Sequence, residues 1–230
     1  MRVCLFSGTF NPIHIGHLLV INLAIEKFLI DILYIIPNKI PVHKKKDFIL
    51  PPKLRLKLIQ ISIKELKYKD KIIVSDFEIK NKLSSFSYYT VKNFREIYRN
   101  DELYFLIGDD SLVFYKWFNF KEIFNLIDKF IIIDRYYKYE SKQDFINKIS
   151  EIYNSDLFKN RELNWELYEL VNKSYFTDKI EILGLPKIEI SSTYIINRLK
   201  SGLSVDYMLN NQVKKIIEKK FFLVLVNGRK

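Results

Sequence analysis

Cysteine occurs once, at Cys4, in a chain of 230 residues, so no internal disulfide is available. A lone thiol fits a reducing compartment, and a cytoplasmic location is the expectation. No apolar run reaches the roughly 18 residues that a membrane span needs. The opening residues, Met1-Arg2-Val3-Cys4-Leu5-Phe6, lack the layout of a signal peptide and run straight into a strand and a glycine turn. No membrane partner is expected. Glycine and proline number six each, and no Gly/Ser or Pro linker divides the chain, nor is any internal repeat visible. Histidine is scarcer still, at three residues, and two of them, His14 and His17, stand three positions apart.

What is abundant is apolar: 48% hydrophobic residues suffice for a sizeable core in one domain spanning 1–230. The net charge of +11 raises the question of nucleic acid. Much of the lysine, however, lies among Ile, Asn, Phe and Tyr, a composition consistent with a codon bias toward A and T. It is read here as solvated faces, with no nucleic-acid partner. An anionic small substrate would benefit from the same field.

Apolar runs bounded by turn residues alternate with stretches of helical period, which argues for a parallel sheet with crossover helices. Strands are expected near 2–6, 31–36, 72–75, 102–107, 129–134 and 180–183, and helices near 17–28, 52–66, 87–98, 111–126, 192–201 and 205–219. The stretch 136–178 is polar and rich in Tyr, Asn and Lys, with helical pieces near 142–153 and 163–173, and reads as an α-helical insertion. The apolar run 221–226 fits either a docking strand or an interface.

Ser7 to His17 reads Ser-Gly-Thr-Phe-Asn-Pro-Ile-His-Ile-Gly-His, between the first strand and the first helix. A strand that turns through glycine into a helix N-terminus is the layout of a phosphate site, because unpaired N–H groups and the helix dipole both favour an anion. Gly8 permits close backbone approach, Thr9 offers a hydroxyl, and Pro12 keeps Asn11 out of the helical region. In a sheet of order 3-2-1-4-5 plus one further strand, the crevice opens between strands 1 and 4, so the turns at Gly8 and Gly108 meet across it.

This motif resembles the G-G-T-F-D-P-I-H-x-G-H pattern of the adenylyltransferase branch of the nucleotidyltransferase HIGH superfamily, with Ser7 and Asn11 as departures. Ile190-Ser191-Ser192-Thr193-Tyr194-Ile195 resembles the I-S-S-T-x-I-R motif of the same superfamily, placed just before a late helix. Ile196 stands where that motif has arginine, and Arg198 two residues on is its candidate substitute. Three further segments resemble the nicotinate-nucleotide adenylyltransferase family. Ile36 to Lys44 matches its I-P-x-x-x-P-P-H-K loop and is followed by an arginine position at Arg55. Tyr89-Thr90-Val91 matches part of S-Y-T-x-D-T-L. Phe105 to Leu112 matches F-I-I-G-A-D-x-L, with Asp109 in place of alanine and Trp117 following at the family distance.

The resemblance implies a Rossmann-like doubly wound α/β fold and adenylyl transfer from ATP to nicotinate mononucleotide, with Mg2+ bound mainly through ATP phosphates. It implies that His14 and His17 are catalytic and that Gly8, Thr9, Phe10, Gly108, Asp110, Arg135, Ile190, Ser191, Ser192, Thr193 and Arg198 bind ATP. His43, Lys44, Arg55, Thr90 and Trp117 would hold the acceptor, and no protein metal site is implied. Other readings stay open: transfer to nicotinamide mononucleotide or another phosphate acceptor, a tRNA-binding relative of the same fold, or an inactive nucleotide binder. No counterpart of the K-M-S-K-S loop of class I tRNA synthetases is found. A homo-oligomer is compatible with the sequence.

Overall fold

The computed structural model describes residues 1–40, 48–81, 86–135, 137–156, 163–186 and 188–227, the last helix from 222 onward by its backbone alone. Six strands, β1 (Arg2–Gly8), β2 (Ile32–Pro37), β3 (Ile72–Val74), β4 (Glu102–Gly108), β5 (Lys129–Ile133) and β6 (Ile180–Leu183), form one parallel sheet in the order 3-2-1-4-5-6. Their sequences are near-continuous in Ile, Leu, Phe and Val because both faces of the sheet are covered. Cys4, Phe6, Leu33, Ile35, Leu106 and Ile131 point into one core, while Val3, Leu5, Phe105, Ile107 and Phe130 point into the other. That alternation is the two-residue period of a strand made visible.

The first core is closed by α1 (Ile15–Phe28), α2 (Pro52–Ser62), α10 (Ser192–Lys200) and α11 (Asn211–Asn227). The second is closed by α4 (Ser87–Ile97), α5 (Asp109–Val113), α6 (Phe120–Leu126), α7 (Lys142–Asn154), α8 (Trp165–Val171) and α9 (Ser174–Asp178). A single extra turn, α3 (Phe77–Lys80), precedes α4. The arrangement is Rossmann-like and doubly wound. The helices of 137–178 pack Phe145, Ile149, Leu167 and Phe176 against the same core as β4 and β5. Among the described residues no helix is long and apolar enough to cross a membrane.

Two helices differ from expectation. The helix expected over 111–126 is broken into α5 and α6, with Asn119 in the left-handed region at φ 54°. Asparagine tolerates that conformation better than most residues, and the Trp117 indole donates back to the carbonyl of Ser111 (2.9 Å), holding the break closed. The helix expected from 205 begins instead at Asn211, because the Asn210 side chain accepts from the amides of Gln212 (2.9 Å) and Val213 (3.3 Å). The apolar run 221–226 belongs to α11, so the strand reading of it is corrected.

Candidate active site

The parallel ladder between β1 and β4 runs from Arg2 opposite Glu102 to Leu5 opposite Phe105 and stops there. Beyond it the strands part, and counting on three residues puts Gly8 and Gly108 level with each other on either side of the opening. Strand order reverses at this point, which is where open α/β sheets bind their ligands. A cleft of about 1040 Å³ occupies it.

One wall is the turn after β1. Phe10 adopts a left-handed φ of 45°, and its ring lies edge-on to Phe6 (5.2 Å) and His17 (5.1 Å). A Cβ on residue 8 would come within 3.2 Å of the Phe10 ring, so glycine lets the ring fold back over the strand end. His14 is buried and caps α1, while His17 sits one turn in, with ring centroids 3.8 Å apart. The His14 amide donates to Nδ1 of His17 (3.2 Å). Because Nδ1 accepts, a neutral His17 carries its proton on Nε2, the nitrogen that can donate.

The facing wall is the start of α10. Ser191 caps that helix, its Oγ accepting from the Tyr194 amide (3.1 Å), and Ser192 donates to the Pro12 carbonyl (3.0 Å). The last bond joins segments 180 residues apart in the chain and fixes the two helix N-termini across one gap. Ile190, Ser191, Ser192 and Thr193 all line the cleft, as do Gly8, Thr9, Phe10, His14, His17, Gly108, Asp110, Trp117 and Arg135. These two motifs, far apart in sequence, are thus brought together.

Other expected residues lie elsewhere. Arg55 is fully buried and does not itself line the cleft. Its Nε donates to Leu50 O (3.0 Å), Nη1 to Thr9 O (2.6 Å) and Asn38 Oδ1 (3.4 Å), and Nη2 to Asn38 O (2.6 Å) and Lys39 O (3.2 Å). All five donors of the guanidinium are occupied, so the expected acceptor contact is corrected: Arg55 shapes the loops behind the site. Burial draws its pKa down to about 10, opposed by the charge of Glu78, and the group stays cationic at neutral pH. Thr90 is likewise buried and outside the cleft, donating to Glu78 Oε1 (2.8 Å). Arg198 turns away as well, donating to Ser204 O (2.7 Å) and to the Tyr194 hydroxyl (3.3 Å). Ile196 is buried in the core, so α10 brings no cation to the cleft at either position. His43 and Lys44 lie outside the described residues.

Several lining residues escaped the sequence reading: Lys116, Phe118, Phe86, Tyr137 and Lys138. Phe86 and Phe118 stack at 5.1 Å, and Phe118 is 41% exposed, an apolar surface beside the half-buried Trp117. The signal of Lys116 and Phe118 was hidden because the break between α5 and α6 lies there. Among the described residues no three of His, Cys, Asp or Glu gather as metal ligands.

A cytidylyltransferase-like family model matches residues 5–198, which sets the class: a nucleotidyltransferase of the Rossmann-like type. Two bacterial relatives are both named "probable nicotinate-nucleotide adenylyltransferase". The Fusobacterium nucleatum protein is 35% identical, over 96% of this chain and 99% of its own. That of Clostridium novyi is 32% identical, over 94% and 95%. The chain belongs to the nicotinate-nucleotide adenylyltransferase family. A solved structure, Plasmodium falciparum nicotinic acid mononucleotide adenylyltransferase complexed with NaAD, shares the fold at a TM-score of 0.69 and 19% identity, over 95% of each chain.

Proposed function

We propose that the protein transfers the adenylyl group of ATP to nicotinate mononucleotide, giving nicotinate adenine dinucleotide and pyrophosphate in NAD biosynthesis. The observation that carries this is the cleft at the β1–β4 opening, where the histidine turn and the α10 N-terminus face each other through the Ser192–Pro12 bond. Family membership supports it, as does the Plasmodium falciparum neighbour with NaAD.

In this reading the acceptor phosphate attacks the α-phosphorus of ATP in line, and the bond to the bridging oxygen of pyrophosphate breaks. Such a reaction needs position and charge stabilisation more than a nucleophilic side chain. His17 Nε2 and His14 donate to the phosphates as charge moves onto the leaving group, and Ser191, Ser192 and Thr193 hold that group from the α10 side. Gly108 and Asp110 border the nucleotide, and Trp117 offers a flat face to the pyridine ring. Mg2+, held chiefly by ATP phosphate oxygens, would neutralise part of their charge. The reading requires no nucleic acid or membrane, and it places the protein in the cytoplasm.

A His17→Ala variant tests the assignment of the turn. It should fold as the parent does, by circular dichroism, and lose turnover by about 10²-fold, the size of one lost oxyanion-type donor. Turnover equal to the parent's would refute the role.

A further inference from the structure

Asp109 stands where the family pattern quoted above has alanine, and it is almost fully buried, at 1% exposure. A buried carboxylate needs donors, and here they come largely from one segment. Its Oδ1 accepts from the amides of Asp110 (2.8 Å) and Arg135 (3.3 Å). Its Oδ2 accepts from the Tyr137 amide (3.0 Å) and the Tyr139 hydroxyl (3.0 Å). Burial, followed by the Asp109 charge, pushes the Tyr139 hydroxyl far above its ordinary range, so it stays protonated and donates.

The segment so anchored follows β5 and crosses the rim of the cleft, which Arg135, Tyr137 and Lys138 line. A second buried carboxylate, Asp134, accepts from Lys138 Nζ (3.0 Å) and the Leu185 amide (2.9 Å), tying the strap to the segment after the neighbouring strand β6. Lys138 is therefore neutralised locally, whereas Arg135 is exposed. The α10 helix brings no cation to the cleft, since Ile196 is buried and Arg198 is turned away.

We infer that Asp109 is a positioning residue for nucleotide binding: it pins Arg135, Tyr137 and Tyr139 so that Arg135 supplies the positive charge which α10 does not. Two departures from the family pattern, the alanine replaced and the arginine missing, then compensate one another. The inference rests on the proposed function, because it takes the anion in the cleft to be ATP.

ATP binding without acceptor, followed by calorimetry, and backbone hydrogen exchange of 135–139 test it together. Asp109→Ala should weaken ATP binding about tenfold, the effect of losing a charged contact's placement, and should speed exchange at the Arg135 and Tyr137 amides. Asp109→Asn, which keeps the Oδ1 acceptor but turns a donor toward Tyr137 and Tyr139, should fall between parent and alanine variant. In an Arg135→Met background the Asp109→Ala change should cost ATP affinity almost nothing further. KM for the acceptor should move less than twofold in every variant, which separates positioning from general loosening. Unchanged exchange at 135–139, or full additivity of the two substitutions, overturns the inference. Failure of the functional reading is distinct: the parent would then release no pyrophosphate from ATP with nicotinate mononucleotide, nicotinamide mononucleotide or phosphopantetheine.

Discussion

At the scale of single residues, the departures at Ser7 and Asn11 from the family's motif are answered by hydrogen bonds. Ser7 uses the hydroxyl that a glycine would lack to reach the buried carboxylate of Glu78 (3.0 Å). Asn11 donates to Phe48 O (2.8 Å) and accepts from the Leu50 amide (2.9 Å), a pair of bonds that aspartate, an acceptor only, could not make. Arg55 is the structural counterpart, joining Thr9, Asn38, Lys39 and Leu50 through one cation. Removing it leaves several buried carbonyls without donors, so Arg55→Leu should lower stability by about 3–5 kcal/mol. Arg55→Lys should recover less than half of that, since an ammonium carries three donors at one point where the guanidinium spreads five over a plane. Urea unfolding with an unchanged slope is the check, and a loss below about 1 kcal/mol for the leucine variant would remove the scaffold role.

Among elements, the six strands were legible because a sheet covered on both faces leaves an unbroken apolar run, as Leu103 to Ile107 shows. Their order followed from the doubly wound fold that the resemblance implies, and the ladder between β1 and β4 puts the Gly8 and Gly108 turns level with each other. The α5–α6 break was not legible: periodicity continues through Phe114, Phe118 and Phe120, and nothing in it marks that the chain leaves the helix. What decides the break is tertiary, the Trp117 indole bonding back to Ser111 and Asn119 turning left-handed. In the site, the histidine turn was legible as a phosphate site from residue type and spacing, and the Ile190 to Thr193 segment from the family resemblance. Arg55, Thr90 and Arg198 were not, because spacing gives a position on an element but not whether a side chain faces the cleft or the core. The break itself is testable. Asn119→Gly should change stability by less than about 0.5 kcal/mol, whereas Asn119→Val should cost about 1–2 kcal/mol through its Cβ branch at positive φ. Equal effects in thermal or urea unfolding would mean that the left-handed residue does not set the break.

On the scale of the whole molecule, the net charge of +11 belongs to the chain as a whole, while the cleft lies at the carboxyl ends of the two central strands, β1 and β4. Lys116 and Arg135 line it beside the carboxylates of Asp110, Asp134 and Glu189, and Lys138 is paired with Asp134, so a small anion meets individual cations at close range. Both nucleotide substrates of the proposed reaction are anionic, and the acceptor's ring carries a further carboxylate that its amide analogue lacks. The same charge accounts for any loose tRNA binding, which should fade steeply with salt and leave adenylyl transfer unaltered. The central claim is the identity of the acceptor. It is tested most directly by offering nicotinate mononucleotide, nicotinamide mononucleotide and phosphopantetheine side by side, with ATP and Mg2+, and measuring pyrophosphate release as kcat/KM. The account predicts that nicotinate mononucleotide is used at least tenfold better than either alternative, about 1.4 kcal/mol of transition-state preference. Equal use of the three, or a preference for nicotinamide mononucleotide or phosphopantetheine, would contradict it.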